Sequence, residues 1–242
     1  MAEPELTPRP GDDGRVERGA ESRRRILQAA AELIAERDLA STTLQDIADR
    51  AGVSKSRINY HFPTKLHIAE VVLNMGWVTM MGATDHNDPN RHLQLLIDAG
   101  LPLAILTVEV PVIRAANRLS TGHEGDPFFG RQQGYYIPVI KKVLEDAQAA
   151  GQLRPGVECE AAAKLVVQGY TGTEILARAH PETLPRQIDE LIQTFVRGIA
   201  TPETLEKLDF SMERAHRLAE LNPLLHEARE EAAQRAAEQT AV

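Results

Sequence analysis

Residues 51–65, AGVSKSRINYHFPTK, give the clearest indication of how this chain folds. An apolar helical pattern runs up to Gly52, which suits the left-handed backbone conformation with which many helices end. Ser54 follows two residues later and can cap a further helix that runs to about Tyr60. Two short helices joined by Gly-Val-Ser form a helix-turn-helix, with Val53 filling the angle between them.

The second helix of this motif has two different faces. Ile58 is placed to point inward, whereas the residues around it are basic or hydrogen-bonding: Lys55, Ser56, Arg57 and Asn59. The major groove of DNA requires such a surface of a recognition helix. A solvated face on a helical bundle is the alternative interpretation of the same pattern.

Helical patterns continue on both sides of the motif. An amphipathic helix begins near Arg23 and stops near Arg37, and Thr42 or Thr43 can cap the helix that follows it. From about residue 90 onward the chain again shows helical spacing, without strand-like alternation or an internal repeat. The sequence therefore predicts an all-α fold.

The net charge of −8 is unevenly distributed along the chain. Residues 18–67 contain nine basic and six acidic side chains, whereas residues 68–242 contain sixteen basic and twenty-four acidic ones. A locally basic segment on an acidic body is compatible with docking on phosphates at one end of the molecule only.

Composition indicates a protein of the cell interior. Hydrophobic residues make up 43% of the 242 residues, and Cys159 is the only cysteine, so no internal disulfide can form. The first twenty-five residues lack the apolar core of a signal peptide, and the longest apolar runs are too short or too interrupted to span a bilayer. We therefore expect a cytoplasmic protein with no membrane partner.

Residues 23–73, RRRILQAAAELIAERDLASTTLQDIADRAGVSKSRINYHFPTKLHIAEVVL, closely resemble the DNA-binding region of TetR-family transcriptional repressors. The resemblance implies a three-helix DNA-binding domain, a larger helical ligand-binding domain, and a homodimer that reads a near-palindromic operator in double-stranded DNA. With this division we expect a disordered arm over residues 1–20, the helix-turn-helix domain over 21–66, the ligand-binding and dimerisation domain over 67–222 and a C-terminal tail over 223–242.

The resemblance also implies which residues contact DNA: Thr42, Thr43, Ser54, Lys55, Ser56, Arg57, Asn59, Tyr60, His61 and Lys65. Lys65 and Thr43 suit phosphate oxygens, whereas Lys55 and Arg57 suit either phosphates or guanine edges. The sequence departs from the family at Ser56, where a small residue such as glycine is usual, and at Asn59, where tyrosine is usual. Asn59 gains the ability to pair with adenine, and Tyr60 is the candidate for the aromatic phosphate contact.

The C-terminal half resembles the γ-butyrolactone-receptor branch of the family, which includes receptors for related furan signals and controls antibiotic production. The resemblance rests on VPVIRAANRLSTG, residues 110–122, and AGQLRPGVECEAAAKLVVQGYTGTEIL, residues 150–176. The branch usually has a tryptophan in place of Tyr135. The resemblance implies a small-molecule inducer of lactone or furan type, and a drug or metabolite of another class is the alternative.

Four residues are candidates for the inducer site because small-molecule cavities are largely apolar with a few placed polar groups. They are Trp77, Tyr135, Tyr136 and Thr171. Packing alone is the alternative explanation for each. Gly169 and Gly172 are costly in a helix interior, about 1 kcal/mol each relative to alanine, and suggest close approach of a partner helix or a ligand.

Two consecutive C-terminal helices are apolar on more than one face, and one monomer cannot bury them both. We therefore expect a four-helix dimer seam formed by Ala163, Val167, Leu176, Ile192, Phe195, Val196 and Ile199.

The sequence contains no recognisable catalytic pattern. The spacing of its eight histidines completes no tetrahedral metal site, and no nucleophile motif is present. Cys159 as a redox sensor is a minor alternative. We expect no enzymatic activity, no bound metal and no cofactor. An all-α enzyme and an architectural DNA-binding protein remain as competing classes, but neither explains both the basic segment and the long apolar helices.

Overall fold

The computed structural model describes residues 12–81 and 92–240, and within these ranges the fold is all-α, as predicted. The helices are α1 (Asp12–Arg37), α2 (Leu44–Ala51), α3 (Lys55–His61), α4 (Lys65–Met81), α5 (His92–Glu109), α6 (Pro111–Ser120), α7 (Arg131–Ala149), α8 (Cys159–Ala177), α9 (Leu184–Ile199), α10 (Pro202–Leu205), α11 (Met212–Ala219) and α12 (Pro223–Thr240). A 3-10 turn (Pro181–Thr183) precedes α9.

Helices α1, α2 and α3 form a small domain around one apolar centre. Ile26 and Ile34 of α1, Ile47 of α2 and Ile58 of α3 are all almost completely buried. These are the positions at which helical spacing placed the inner stripe of each helix, because residues three and four apart share one face.

Helix α4 connects this domain to the larger one and packs closely against α6. A Cβ atom added to Gly76 would lie 2.5 Å from the Cβ of Ala116 and 3.0 Å from the carbonyl oxygen of Val112. The absence of a side chain at Gly76 therefore lets the two helix backbones approach.

The larger domain is built around α5, which packs against α7, α9 and α11. Among the described residues, α5 is the one helix long and apolar enough to cross a membrane, but 61% of that stretch is buried inside the protein. Helix α5 is therefore a core helix of the larger domain.

Helix α12 returns from the larger domain to the small one. Leu225 is completely buried, and the guanidinium of Arg229 donates to the carboxylates of Glu109 (2.7 Å) and Glu220 (2.6 Å). Glu231 lies 3.6 Å from Arg24 of α1. The segment expected to be a tail therefore packs as a helix against both domains.

The predicted boundary of the N-terminal arm was wrong. Residues 12–20 form the first turns of α1, where the Ser22 hydroxyl donates to the carbonyl of Arg18 at 2.8 Å. All three prolines of the arm precede Asp12, so none interrupts a helix that begins there. Residues 1–11 lie outside the described part of the chain.

Candidate DNA-binding surface and ligand cavity

The helix-turn-helix is fixed by local hydrogen bonds at each helix end. Thr43 caps α2 in a capping box, in which its hydroxyl oxygen accepts from the Asp46 amide while the Asp46 carboxylate accepts from the Thr43 amide. Gly52 ends α2 in the left-handed conformation with φ 61°. The Ser54 side chain accepts from the Arg57 amide and caps α3. The capping and turn residues between positions 42 and 54 therefore determine where α2 begins and ends and where α3 begins.

Helix α3 presents a polar face to solvent. Lys55, Ser56, Arg57 and Asn59 are exposed, and the Tyr60 side chain is 74% exposed. Lys55 and Arg57 make no ion pair within the described residues, whereas Arg37 and Arg50 on the neighbouring helices pair with carboxylates. The positive charge of α3 is therefore available to an external anion such as DNA phosphate.

Thr42 was wrongly assigned to the DNA-contacting set. Its side chain is completely buried, and its hydroxyl donates to the carbonyl of Asp38 at 2.6 Å. Two adjacent threonines satisfy the same capping pattern, so the sequence did not distinguish the cap, Thr43, from the buried residue.

Lys65 has a structural role that the sequence did not reveal. Its Nζ donates to the carbonyls of Leu39 and Thr42, each at 2.8 Å. Two of its three N–H groups therefore hold the loop before α2, instead of reaching outward to phosphate.

His61 ends α3 and is only partly exposed. Its Nε2 is buried without a hydrogen-bond partner among the described residues, and its ring makes an edge contact with Tyr60 at 5.0 Å between centroids. Burial lowers the pKa of His61, and the charges of Arg57 and Arg23 lower this pKa further. These effects favour the neutral imidazole.

The larger domain contains a cavity of about 80 Å³ between α5, α7, α8 and α9. Two of the four candidate residues, Tyr136 and Thr171, line it. Tyr135 does not: its ring is partly exposed and contacts Tyr136 edge-on. The side chain of Trp77 lies outside the described part of the structure. The complete lining is Leu96, Ala99, Gly100, Leu103, Gln132, Tyr136, Ile140, Val166, Val167, Tyr170, Thr171 and Ile192.

One side of this cavity is polar. Gln132 donates to Asn117 Oδ1 at 2.9 Å, and Asn117 donates to Thr107 Oγ1 at 3.3 Å. The Tyr170 hydroxyl lies near Thr107 but makes no hydrogen bond of good geometry with a described residue. Burial raises the pKa of Tyr170, and also that of Tyr136, well above the ordinary range. Both phenols are therefore uncharged donors.

Sequence reasoning missed Gln132 and Tyr170. Tyr170 stands between Gly169 and Thr171 in a segment that was already of interest, yet nothing local shows that its ring turns inward. Gly169 itself faces α9, since an added Cβ would lie 3.1 Å from Leu191 Cδ1. Gly172 has open space in place of a neighbour.

Most of the predicted dimer seam is buried inside the monomer. Ala163 and Val196 are completely buried, Phe195 nearly so, Ile199 packs against the core, and Val167 and Ile192 line the cavity. Of the seven residues only Leu176 is exposed, at 83%. Helical spacing showed that α8 has two apolar faces. It did not show which of them is buried in the core of the monomer.

Neither a metal site nor an activated thiol is found among the described residues. No group of three histidine, cysteine, aspartate or glutamate side chains converges within these ranges. Burial raises the pKa of the Cys159 thiol, which disfavours the reactive thiolate form.

A helix-turn-helix with an unpaired basic face, carried on a larger helical domain, is the architecture of a DNA-binding transcriptional regulator. Residues 26–72 match the family described as bacterial regulatory proteins, tetR family, and residues 91–201 match the tetracyclin repressor-like C-terminal domain. The chain belongs to the TetR family. Helices α10 to α12 lie beyond both matched regions.

Three relatives illustrate the similarity. Full-length TylP, a TetR regulator from Streptomyces fradiae, is 30% identical, with a TM-score of 0.66 over 91% of this chain and 94% of that one. A solved γ-butyrolactone receptor, described as ArpA-like, is 25% identical, with a TM-score of 0.69 over 84% of this chain and 98% of that one. The A-factor receptor protein of Streptomyces griseus is 27% identical, over 76% of this chain and 66% of its own length.

Proposed function

We propose that this protein is a cytoplasmic transcriptional repressor that binds a near-palindromic operator as a homodimer and is released from it by a γ-butyrolactone or furan-like signal. The observation that carries the proposal is the solvent-facing surface of α3, where Lys55 and Arg57 have no carboxylate partner among the described residues. An exposed, unpaired basic face next to hydrogen-bonding side chains is suited to a major groove.

The proposed dimer uses the outer face of α8 instead of the inner one. Leu165 and Leu176 are 64% and 83% exposed, Ile175 is also exposed, and Gly172 between them has room for a close neighbour. Exposed leucines on one helical face are typical of an interface between subunits. Pairing α8 and α9 of two copies gives a four-helix seam.

The proposed inducer site is the cavity. Its present volume of about 80 Å³ is far below the roughly 300–1,000 Å³ of ordinary ligand pockets. We interpret it as the closed, inducer-free arrangement, which a ligand enlarges by separating α5, α7 and α8. Tyr170 and Gln132 would bind the polar head of a lactone, and Leu103, Ile140 and Ile192 would cover its alkyl chain.

A gel-shift titration tests this function. The wild-type protein should shift the upstream region of its own gene, and a γ-butyrolactone with an alkyl side chain should reverse the shift. Arg57→Ala should weaken operator binding by about 1–3 kcal/mol, while Arg217→Ala, at an exposed arginine of α11 outside the proposed seam, should not. A shift that the lactone leaves intact would favour an inducer of another class.

A further inference from the structure

A second crevice, of about 260 Å³, lies where the two domains meet. Asp38, Leu39 and Ala40, in the loop between α1 and α2, form one side. The end of α6, the loop after it and Arg178, which directly follows α8, form the other side. Asp38 has φ 92°, and it is the one non-glycine residue with positive φ among the described residues. None of the residues lining this crevice lines the cavity described above.

Arg118, in the last turn of α6, is the unusual residue of this crevice. Its guanidinium makes no hydrogen bond or ion pair with any residue that the structure describes, and its Nε is buried without a partner. Burial lowers the pKa of Arg118, and the nearby charge of Arg178 lowers it further. A half-buried guanidinium without a hydrogen-bond partner carries an unfavourable desolvation cost, which a bound anion would offset.

Comparable arginines in the protein are satisfied. Arg114, which is also half-buried, donates to the carbonyls of Thr107 and Val108. Arg154 donates to the carbonyls of Ala200 (2.8 Å) and Arg197 (3.0 Å). The isolation of Arg118 is therefore not a general feature of arginines near the core.

Arg178 provides a second, rigidly held positive charge. Its guanidinium donates to both carboxylate oxygens of Glu174, at 3.1 and 2.7 Å, and also to the Thr121 hydroxyl. Glu174 is buried and lies within electrostatic range of Arg118 without pairing with it. Two guanidinium groups thus line one crevice, and only one of them has a carboxylate partner.

Two carboxylates also line the crevice, and both are engaged by their own loops. Asp38 accepts from the amide (2.8 Å) and hydroxyl (2.6 Å) of Ser41, and Asp126 accepts from the amide of His123 at 3.3 Å. These bonds hold the two carboxylates in their loops, while the guanidinium of Arg118 remains open to an external acceptor.

We propose that this crevice binds a small oxyanion, a phosphate group, through Arg118, with Arg178 adding attraction. Guanidinium groups bind phosphate through paired, charge-assisted hydrogen bonds. Because residues 38–40 belong to the DNA-binding domain and Arg118 belongs to the larger one, a bound phosphate lies at their contact. The site is separate from the inducer cavity and does not depend on the proposed function.

Calorimetric titration of the full chain with inorganic phosphate, at constant ionic strength and without DNA, tests the site. We expect saturable binding by the wild type and a loss of roughly tenfold or more for Arg118→Gln, since charge-assisted hydrogen bonds are removed. Asp38→Asn keeps an oxygen for Ser41 but removes a repelling charge, so it should bind phosphate more tightly than the wild type. Arg186→Gln, a matched loss of surface charge, should bind like the wild type.

Two outcomes would overturn the proposal: no saturable uptake by the wild type, or equal affinity in wild type and Arg118→Gln. If Arg118→Gln does not fold, Arg118→Lys takes its place in the titration. This variant keeps the positive charge but loses the forked geometry of the guanidinium, so it should bind phosphate more weakly than the wild type. An affinity equal to that of the wild type would also count against the site. A parallel titration with methyl phosphate identifies the source, since tighter binding of the ester favours a phosphorylated metabolite over the free ion.

Discussion

Gly76 of α4 and Ala116 of α6 lie so close that a methyl group on Gly76 would be 2.5 Å from the Ala116 Cβ. Three residues separate the end of α3 from the start of α4, and α6 belongs to the larger domain. This contact is therefore a place where a movement of the larger domain can be passed to the DNA-binding domain.

Gly76→Ala should separate α4 from α6 and destabilise the protein by about 1–3 kcal/mol, the usual cost of overpacking. It should also weaken operator binding in the absence of inducer, because it moves the helix that carries the DNA-binding domain. Chemical denaturation and gel shift measure the two effects. Gly134→Ala in α7, where an added methyl meets nothing within 4 Å, should instead stabilise by up to about 1 kcal/mol. If Gly76→Ala behaved like Gly134→Ala, the contact would have no role in coupling.

Lys65→Met should lower the free energy of unfolding by about 1.5–3 kcal/mol, because two charge-assisted hydrogen bonds to the loop before α2 are lost. The slope of operator affinity against salt concentration should change little. By contrast, Arg57→Ala should reduce that slope by about one unit, as expected for a lost phosphate contact. If Lys65→Met reduced the salt slope and left the stability unchanged, Lys65 would belong to the DNA-contacting residues.

Leu176→Glu should convert the dimer to a monomer at micromolar concentration, since it places a charge at the centre of the proposed seam. Sedimentation velocity measures the change, and circular dichroism should show unaltered helix content. Leu221→Glu is the matched control, because Leu221 is 70% exposed but lies outside α8 and α9. Dissociation by both variants, or by neither, would be inconsistent with a seam on α8.

Tyr170→Phe should raise the lactone concentration needed for half-release of the operator by about tenfold, the effect of one lost hydrogen bond of roughly 1.4 kcal/mol. Stability without ligand should change by less than about 1 kcal/mol, because the hydroxyl has no well-formed partner to lose. Tyr135→Phe, outside the cavity lining, should leave release unchanged. Equal responses from the two variants would place the ligand elsewhere.

The parts of the molecule that could be predicted are those governed by short-range chemistry. A threonine cap before α2, the left-handed turn at Gly52 and the cap at Ser54 depend on residues at most four positions apart, so the sequence indicates them directly. The exposure of the polar face of α3 could be predicted from the inward position of Ile58 alone.

The errors concern contacts between distant residues. The packing of α4 against the loop after α1 determines whether Thr42 faces solvent. The same packing determines which groups the Lys65 ammonium contacts. The inward faces of α8 and α9 are set by α5 and α7, which approach from elsewhere in the chain. Periodicity shows that Val167 and Ile192 must be buried, but not whether a second subunit or the monomer's own core buries them.

Helix α12 gives the DNA-binding domain an attachment beyond the covalent one through α4 and the packing of α1 on α6. The Arg24–Glu231 ion pair joins α1 to α12 across 3.6 Å. Both side chains reach solvent, so salt weakens this pair while it leaves the apolar packing of α1 in place. A displacement of the recognition helix relative to the larger domain therefore has to shift α1 against α6 and α12 together.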